Sequence, residues 1–194
     1  MEFNFSFKRE IKRQFKSVFS LETRPFIDFL KMTQKKNLIG VEIGVEYGYH
    51  ALQMLQTLDI KKLYLIDPYQ RRHVIGKIIE NDGDLIYEKA KSKMKDYKEK
   101  SIFLRKTSEE AVDDIPNNID FVYIDGNHNY EFVKKDIELY YPKVKKGGVI
   151  AGHDFSASFF GVCRAVFEFL DKKGYDITDL QGKRKDWWFI KKWM

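Results

Sequence analysis

The sequence predicts an α/β fold in which a mostly parallel sheet ends in an antiparallel C-terminal strand and carries helices on both faces. Three observations predict it. Apolar runs of strand length recur from residue 38 onward, amphipathic stretches of helical period separate them, and the last two runs are joined by a short polar link instead of a helix.

In chain order, Ile11, Phe15, Val18 and Phe19 recur at helical spacing, while Lys8, Arg9, Lys12, Arg13 and Lys16 fill much of the remaining surface. This reads as a basic amphipathic helix packed on the body, with a membrane-surface or partner-binding helix as the alternative. Pro25 opens a short helical stretch carrying Phe26, Phe29, Leu30 and Met32. Buried strands follow at 38–43, 63–66, 102–104, 121–124 and 149–151. Helices are expected at 49–58, 108–114 and 130–144, with two helical pieces between 71 and 99 around Asn81-Asp82-Gly83. A helix at 162–173, a strand near 175–180 and a strand near 186–192 complete the chain, and Gln181-Gly182-Lys183-Arg184 permits a hairpin between the last two. The chain thus divides into an N-terminal helical segment, 1–36, and one domain, 37–194.

With 194 residues, 43% of them hydrophobic, the chain is long enough for one domain with a sizeable core. Its single cysteine, Cys163, excludes an intrachain disulfide, so a reducing compartment, the cytoplasm, is expected. No apolar run approaches the roughly 20 residues needed to span a bilayer, and residues 1–20 alternate Phe with basic residues, unlike a signal-peptide core. No transmembrane segment is therefore expected. The net charge of +6 is uneven: residues 1–36 carry nine Lys or Arg against four Asp or Glu, and the remaining 158 carry 26 against 25. A nearly neutral body argues against nucleic acid as a partner.

The chemistry-bearing residues sit at strand ends. Glu42-Ile43-Gly44-Val45-Glu46-Tyr47-Gly48 follows the first strand, where glycines let a ligand approach the backbone. It lacks the spacing of a dinucleotide fingerprint and of a P-loop, which disfavours NAD and nucleoside triphosphates. The second strand ends in Asp67, placed to accept hydrogen bonds from ribose hydroxyls or, alternatively, to cap a following helix. Phe121-Val122-Tyr123-Ile124-Asp125-Gly126-Asn127-His128-Asn129-Tyr130 and Lys146-Gly147-Gly148-Val149-Ile150-Ala151-Gly152-His153-Asp154-Phe155 lie one helix apart, and would bring Asp125, His153 and Asp154 into one cleft. Carboxylates and imidazole together form a plausible divalent-metal site, with helix capping as the alternative for both aspartates. His128 is able to accept a proton at neutral pH, since an unperturbed imidazole has a pKa near 6.5; its alternative is a helix cap.

These motifs resemble S-adenosylmethionine-dependent methyltransferases with a Rossmann-like sheet, and over about residues 38–170 the family that includes macrolide sugar O-methyltransferases and cephalosporin hydroxylase-like proteins. The resemblance implies a methyltransferase domain over 37–194. It implies S-adenosylmethionine held by Glu42, Gly44, Gly48, Asp67, Ser108 and Asp125, with Ser108 near the adenine or simply an N-cap. It also implies a divalent ion, magnesium or manganese, on Asp125, His153 and Asp154, with His153 alternatively a substrate contact. His128 matches the general base. The expected acceptor is a small hydroxylated molecule, a sugar or other polyol. Rivals are a noncatalytic cofactor- or partner-binding protein and an RNA methyltransferase. His50 and His73 have no comparable context, Trp187, Trp188 and Trp193 read as strand and core residues, and segment 69–99 is either a lid, with Arg71, Arg72 and Lys77 near its start, or two exposed helices.

Overall fold

The computed structural model describes residues 23–70, 72–74, 77–79 and 83–193, so the basic helix expected within residues 1–20 lies outside the described residues. Helix α1 (Pro25–Met32) starts on its proline and buries Phe26, Ile27 and Leu30. There follow β1 (Leu38–Ile43), α2 (Tyr49–Thr57), β2 (Ile60–Ile66), β3 (Arg72–Val74), β4 (Lys77–Ile79), α3 (Gly83–Lys93) and β5 (Ser101–Leu104). The second half contains α4 (Ser108–Ala111), β6 (Ile119–Ile124), α5 (Tyr130–Tyr140), β7 (Val144–Gly152), α6 (Phe160–Lys172), β8 (Gln181–Lys183) and β9 (Asp186–Ile190).

The main sheet has the order β5-β2-β1-β6-β7-β9-β8, parallel from β5 to β7, with β9 antiparallel to β7 and β8 antiparallel to β9. Side-chain alternation sends each strand's residues to two cores. On β6, Phe121 and Tyr123 join Phe26, Leu63 and Met54 under α1, α2 and α3, whereas Val122 and Ile124 join Val133, Ile137 and Val166 under α5 and α6. Burial on both faces explains why the central strands read as continuous apolar runs.

Five expectations are corrected. The first of the two helical pieces expected between 71 and 99 is instead the antiparallel pair β3–β4, and a single helix, α3, follows it. The strand expected near 175–180 is a short 3-10 turn, Ile177–Asp179, because Asp176 accepts Thr178 N–H at 2.8 Å while its own N–H donates to Asp179. The hairpin lies further along than expected: Gln181–Lys183, read as the link, is strand β8, and the turn is Arg184-Lys185, both at positive φ. Helix α5 also stops at Tyr140 instead of 144, two residues before Pro142, and β7 begins at Val144 instead of 149.

Helix α4 is capped by Thr107 in a reciprocal capping box with Glu110, so Thr107 and not Ser108 is the N-cap. Ser108 Oγ donates instead to Asp136 of α5, whose carboxyl is pushed up to about 6 by burial, against the Ser108 hydrogen bond and the nearby Lys135. Folded Asp136 therefore keeps its proton up to about pH 6, while the unfolded chain releases it near 3.8. Folding takes up a proton between those values, so this contribution to stability is complete below the lower one and is lost as pH rises through the higher one. Asp136→Asn is expected to flatten that loss and to stabilise the protein by about 1–3 kcal/mol above pH 7. Urea denaturation from pH 4.5 to 7.5 measures it; an asparagine variant less stable than the parent at pH 7.5 contradicts the expectation.

Candidate active site

The register of the sheet assembles the site. Ile43 pairs with Ile66 and with Ile124, and Ile124 pairs with Gly152, so the next residues of four strands, Gly44, Asp67, Asp125 and His153, form one row at the carboxyl edge. Backbone bonds extend the ladder into that row: Gly44 N–H donates to Ile66 O at 2.8 Å, Asp125 N–H to Ile43 O at 2.8 Å and His153 N–H to Ile124 O at 3.0 Å. Open α/β sheets bind ligands outside this edge.

At one end of the row, the β1–α2 loop turns through Gly44 (φ +89) and Gly48 (φ +72). Asp67 binds both this loop and its own: its Oδ2 accepts Glu46 N–H at 2.9 Å and its Oδ1 accepts Tyr69 N–H at 2.8 Å. No helix begins there, since β3 is the next element, so the capping alternative for Asp67 falls away. Each Asp67 oxygen keeps a further lone pair for a ligand hydroxyl. Behind the loop, Glu42 Oε1 lies 2.8 Å from His50 Nδ1, while Glu42 Oε2 and His50 Nε2 are buried with no hydrogen-bond partner among the described residues. Burial, then the nearby Asp125, pushes the Glu42 carboxyl well above the usual range; burial, then Arg24, pushes His50 well below its own. Both shifts favour the uncharged forms, and the two remaining polar atoms lie buried behind the glycine turn.

At the other end, Asp125, His128 and Asp154 each offer one ligand atom, all within 4.8 Å of one another. His128 Nε2 is 3.1 Å from Asp154 Oδ2 and 3.6 Å from Asp125 Oδ1. His153 Nδ1 flanks them, 3.3 Å from Asp154 Oδ1 and 3.8 Å from Asp125 Oδ1. Neither aspartate caps a helix: the N-cap of α5 is Asn129, that of α6 is Phe159, and the 3-10 turn between them is entered from Ser156. Both carboxylates are thereby left to the cluster. Burial would raise the Asp125 carboxyl, but nearby His128, the Arg24 guanidinium and His153 outweigh it and hold it down at about 2. The Phe159 ring packs edge-on against His128, with centroids 4.8 Å apart.

Sequence reasoning missed four residues that the structure brings here. Arg24 Nη1 lies 2.9 Å from Asp125 Oδ2 and donates to Tyr123 Oη at 2.7 Å. Tyr123 Oη donates to Asp186 Oδ1 at 2.8 Å, and Lys185 Nζ is 3.9 Å from Asp154 Oδ1. Asp186 and Lys185 arrive because β9 runs antiparallel: Trp187 pairs with Gly152, so the start of β9 lies beside His153. The lone acid opening the apolar run Asp186–Ile190 was the available signal, since a carboxylate in a buried strand requires a partner. Of the residues the sequence singled out, Ser108 turns its hydroxyl to Asp136, and Tyr140 Oη donates to its backbone oxygen at 2.7 Å.

A parallel sheet with two antiparallel strands at one end, bearing a glycine turn and acidic strand ends along one edge, defines a class I methyltransferase fold. A family profile described as "Methyltransferase domain" matches residues 41–155, and the chain belongs to that family. Among curated proteins, it is 32% identical over 119 residues to the uncharacterized protein y4gI of Sinorhizobium fredii, covering 59% of this chain and 13% of that protein. It is 33% identical over 127 residues to the uncharacterized protein R132 of Acanthamoeba polyphaga mimivirus, covering 63% of this chain and 53% of that protein. The chain thus spans about half or less of the length of these relatives. Among solved structures, an O-methyltransferase from Bacillus cereus in complex with SAH superposes with a TM-score of 0.61 at 12% identity, covering 98% of this chain and 93% of that one. Arg24, Lys185 and Asp186 all lie outside the family-matched residues. Among the described residues, no helix is long and apolar enough to cross a membrane.

Proposed function

We propose that this chain is an S-adenosylmethionine-dependent O-methyltransferase acting on a hydroxyl of a small acceptor, a sugar or similar polyol, with help from a divalent ion. The observation that carries the reading is the meeting of Asp125, His128 and Asp154 on the same sheet edge as the Gly44 turn and Asp67. The carboxylates of Asp125 and Asp154 with the flanking His153 imidazole suit manganese, and magnesium less well because it prefers oxygen donors. The donor set therefore fits the ion the family resemblance implies.

When bound, the cofactor supplies a methyl group on a sulfonium and the ion supplies positive charge at the acceptor oxygen. Asp67 would take ribose hydroxyls on the lone pairs left by Glu46 and Tyr69, and Gly44 would let the cofactor approach the loop backbone. Asp125 and Asp154, flanked by His153, would hold the ion. His128 would take the acceptor's proton, and the bound cofactor would supply the methyl group to the acceptor oxygen and leave as S-adenosylhomocysteine. An imidazole nitrogen that ligates an ion has no lone pair left for a proton, so His128 acts here as the base and not as a ligand. Beyond that proton transfer, the chain contributes alignment in line with the leaving sulfur.

Calorimetry is expected to show S-adenosylhomocysteine binding to the folded protein, with Asp67→Ala weakening it at least tenfold. An acceptor panel read by S-adenosylhomocysteine release then identifies the hydroxyl. Undetectable cofactor binding at millimolar concentration by folded protein overturns the methyltransferase reading.

A further inference from the structure

The acidic cluster already has a resident cation, and it comes from the segment that precedes β1. Arg24 is the residue before α1, and its guanidinium remains charged at every accessible pH. It binds one oxygen of Asp125, Oδ2, at 2.9 Å. The other oxygen, Oδ1, faces His128 Nε2 at 3.6 Å and His153 Nδ1 at 3.8 Å. A second tie holds the same segment: Phe26 N–H donates to Asp186 Oδ2 at 3.0 Å, and Asp186 Oδ1 accepts Tyr123 Oη–H, whose oxygen also accepts from Arg24. Residues 24 and 26 are thus joined to β6 and β9 through one connected hydrogen-bond network, and Phe26 packs against Tyr123 with ring centroids 5.0 Å apart.

We propose that Arg24 is a built-in counter-cation of the ion centre formed by Asp125 and Asp154 with His153 beside them. It keeps Asp125 charged and ordered when no ion is held, and it opposes the binding of a divalent cation there, so that occupancy of the centre and attachment of the segment beginning at Arg24 are coupled. The proposal rests on reading the cluster as a divalent-ion centre. Arg24 has two effects of opposite sign on such an ion. Fixing Oδ2 aims Oδ1 into the cluster, which favours ligation by the small amount that one ordered side chain is worth. A full positive charge on the same carboxylate also repels a dication across a mostly buried gap, with an energy that grows as the product of the charges over their distance. The second effect is the larger, so removing the charge tightens ion binding. The same competition predicts that loading the centre loosens Arg24 from Asp125 and, through the shared network, the start of α1.

The experiment titrates Mn2+ into the full chain and follows loss of the free-ion signal by electron paramagnetic resonance. Arg24→Gln is expected to bind Mn2+ at least tenfold more tightly than the parent, and Arg24→Lys, which keeps the charge, within threefold of it. Saturating Mn2+ is also expected to raise amide hydrogen exchange over residues 24–32 of the parent protein while leaving β1 unchanged. Equal or weaker Mn2+ binding by folded Arg24→Gln overturns the proposal while leaving the ion centre standing. Absence of Mn2+ binding by parent and variant alike overturns the ion centre itself and the proposal with it. Should Arg24→Gln fail to fold, the exchange measurement decides, and unchanged exchange over residues 24–32 on Mn2+ loading overturns the coupling.

Discussion

His128→Ala is expected to slow methyl transfer by about 100-fold or more, the scale of losing a general base, while leaving S-adenosylhomocysteine affinity within about threefold of the parent. The separation follows from geometry. His128 stands at the cluster end of the edge, with Asp125 and Asp154, and the glycine turn and Asp67 stand at the other. Alanine also removes the ring that Phe159 packs against, so a structural loss must be told apart from a chemical one. His128→Gln does this. Its amide fills much of the space and still hydrogen-bonds Asp154 or ligates an ion through its oxygen, but it accepts no proton at neutral pH. Slow turnover in both variants, with Mn2+ binding kept in the glutamine protein, is the expected result. Near-parent turnover in His128→Gln shows that another group is the base; lost Mn2+ binding in both variants shows that His128 is an ion ligand.

The edge of the sheet was legible because parallel strands covered on both faces write themselves as apolar runs, and the residue that ends each run is where chemistry collects. Gly44, Asp67, Asp125 and His153 each follow such a run directly, and the register aligns them. What escaped reading depends on contacts distant in sequence. Nothing around Arg24 marks it as a partner of a residue about a hundred positions later; the pairing exists because α1 packs under β6, beside Tyr123. Asp186 reaches the site through the antiparallel direction of β9, and the hairpin that sets this direction turns on Arg184-Lys185, a pair without the Asn or Gly that usually announces such a turn. The β3–β4 pair was missed for a related reason: three-residue strands are too short for alternation to outweigh helical spacing. The spacing of Asp125 and His128 was visible, yet which imidazole stands closest to Asp154 was decided by loop geometry, with Asp154 itself at φ +59.

The two glycines of the β1–α2 loop are expected to respond very differently to alanine, although both have positive φ. A Cβ at Gly44 would lie 2.3 Å from Asp125 O, 2.5 Å from Asp125 C and 2.6 Å from Gly126 Cα, all backbone atoms of the neighbouring loop. Backbone cannot swing aside as a side chain can, so Gly44→Ala must push the β1 and β6 loops apart, displacing Asp125 from its place beside Gly44. Steric overlap together with an unfavourable φ of +89 is expected to cost about 3 kcal/mol or more and to weaken S-adenosylhomocysteine binding at least tenfold. At Gly48 the nearest atom is Met94 Cε at 2.7 Å, the free end of a flexible side chain, and the next is Ala90 Cβ at 3.4 Å. Methionine yields by changing rotamer, which leaves mainly the left-handed backbone cost of about 1 kcal/mol for Gly48→Ala. Urea denaturation and calorimetry on both variants measure the difference. If Gly44→Ala matches the parent in stability and cofactor affinity, or Gly48→Ala is the more damaged of the two, the close approach of Gly44 to Asp125 does not hold the halves of the site together.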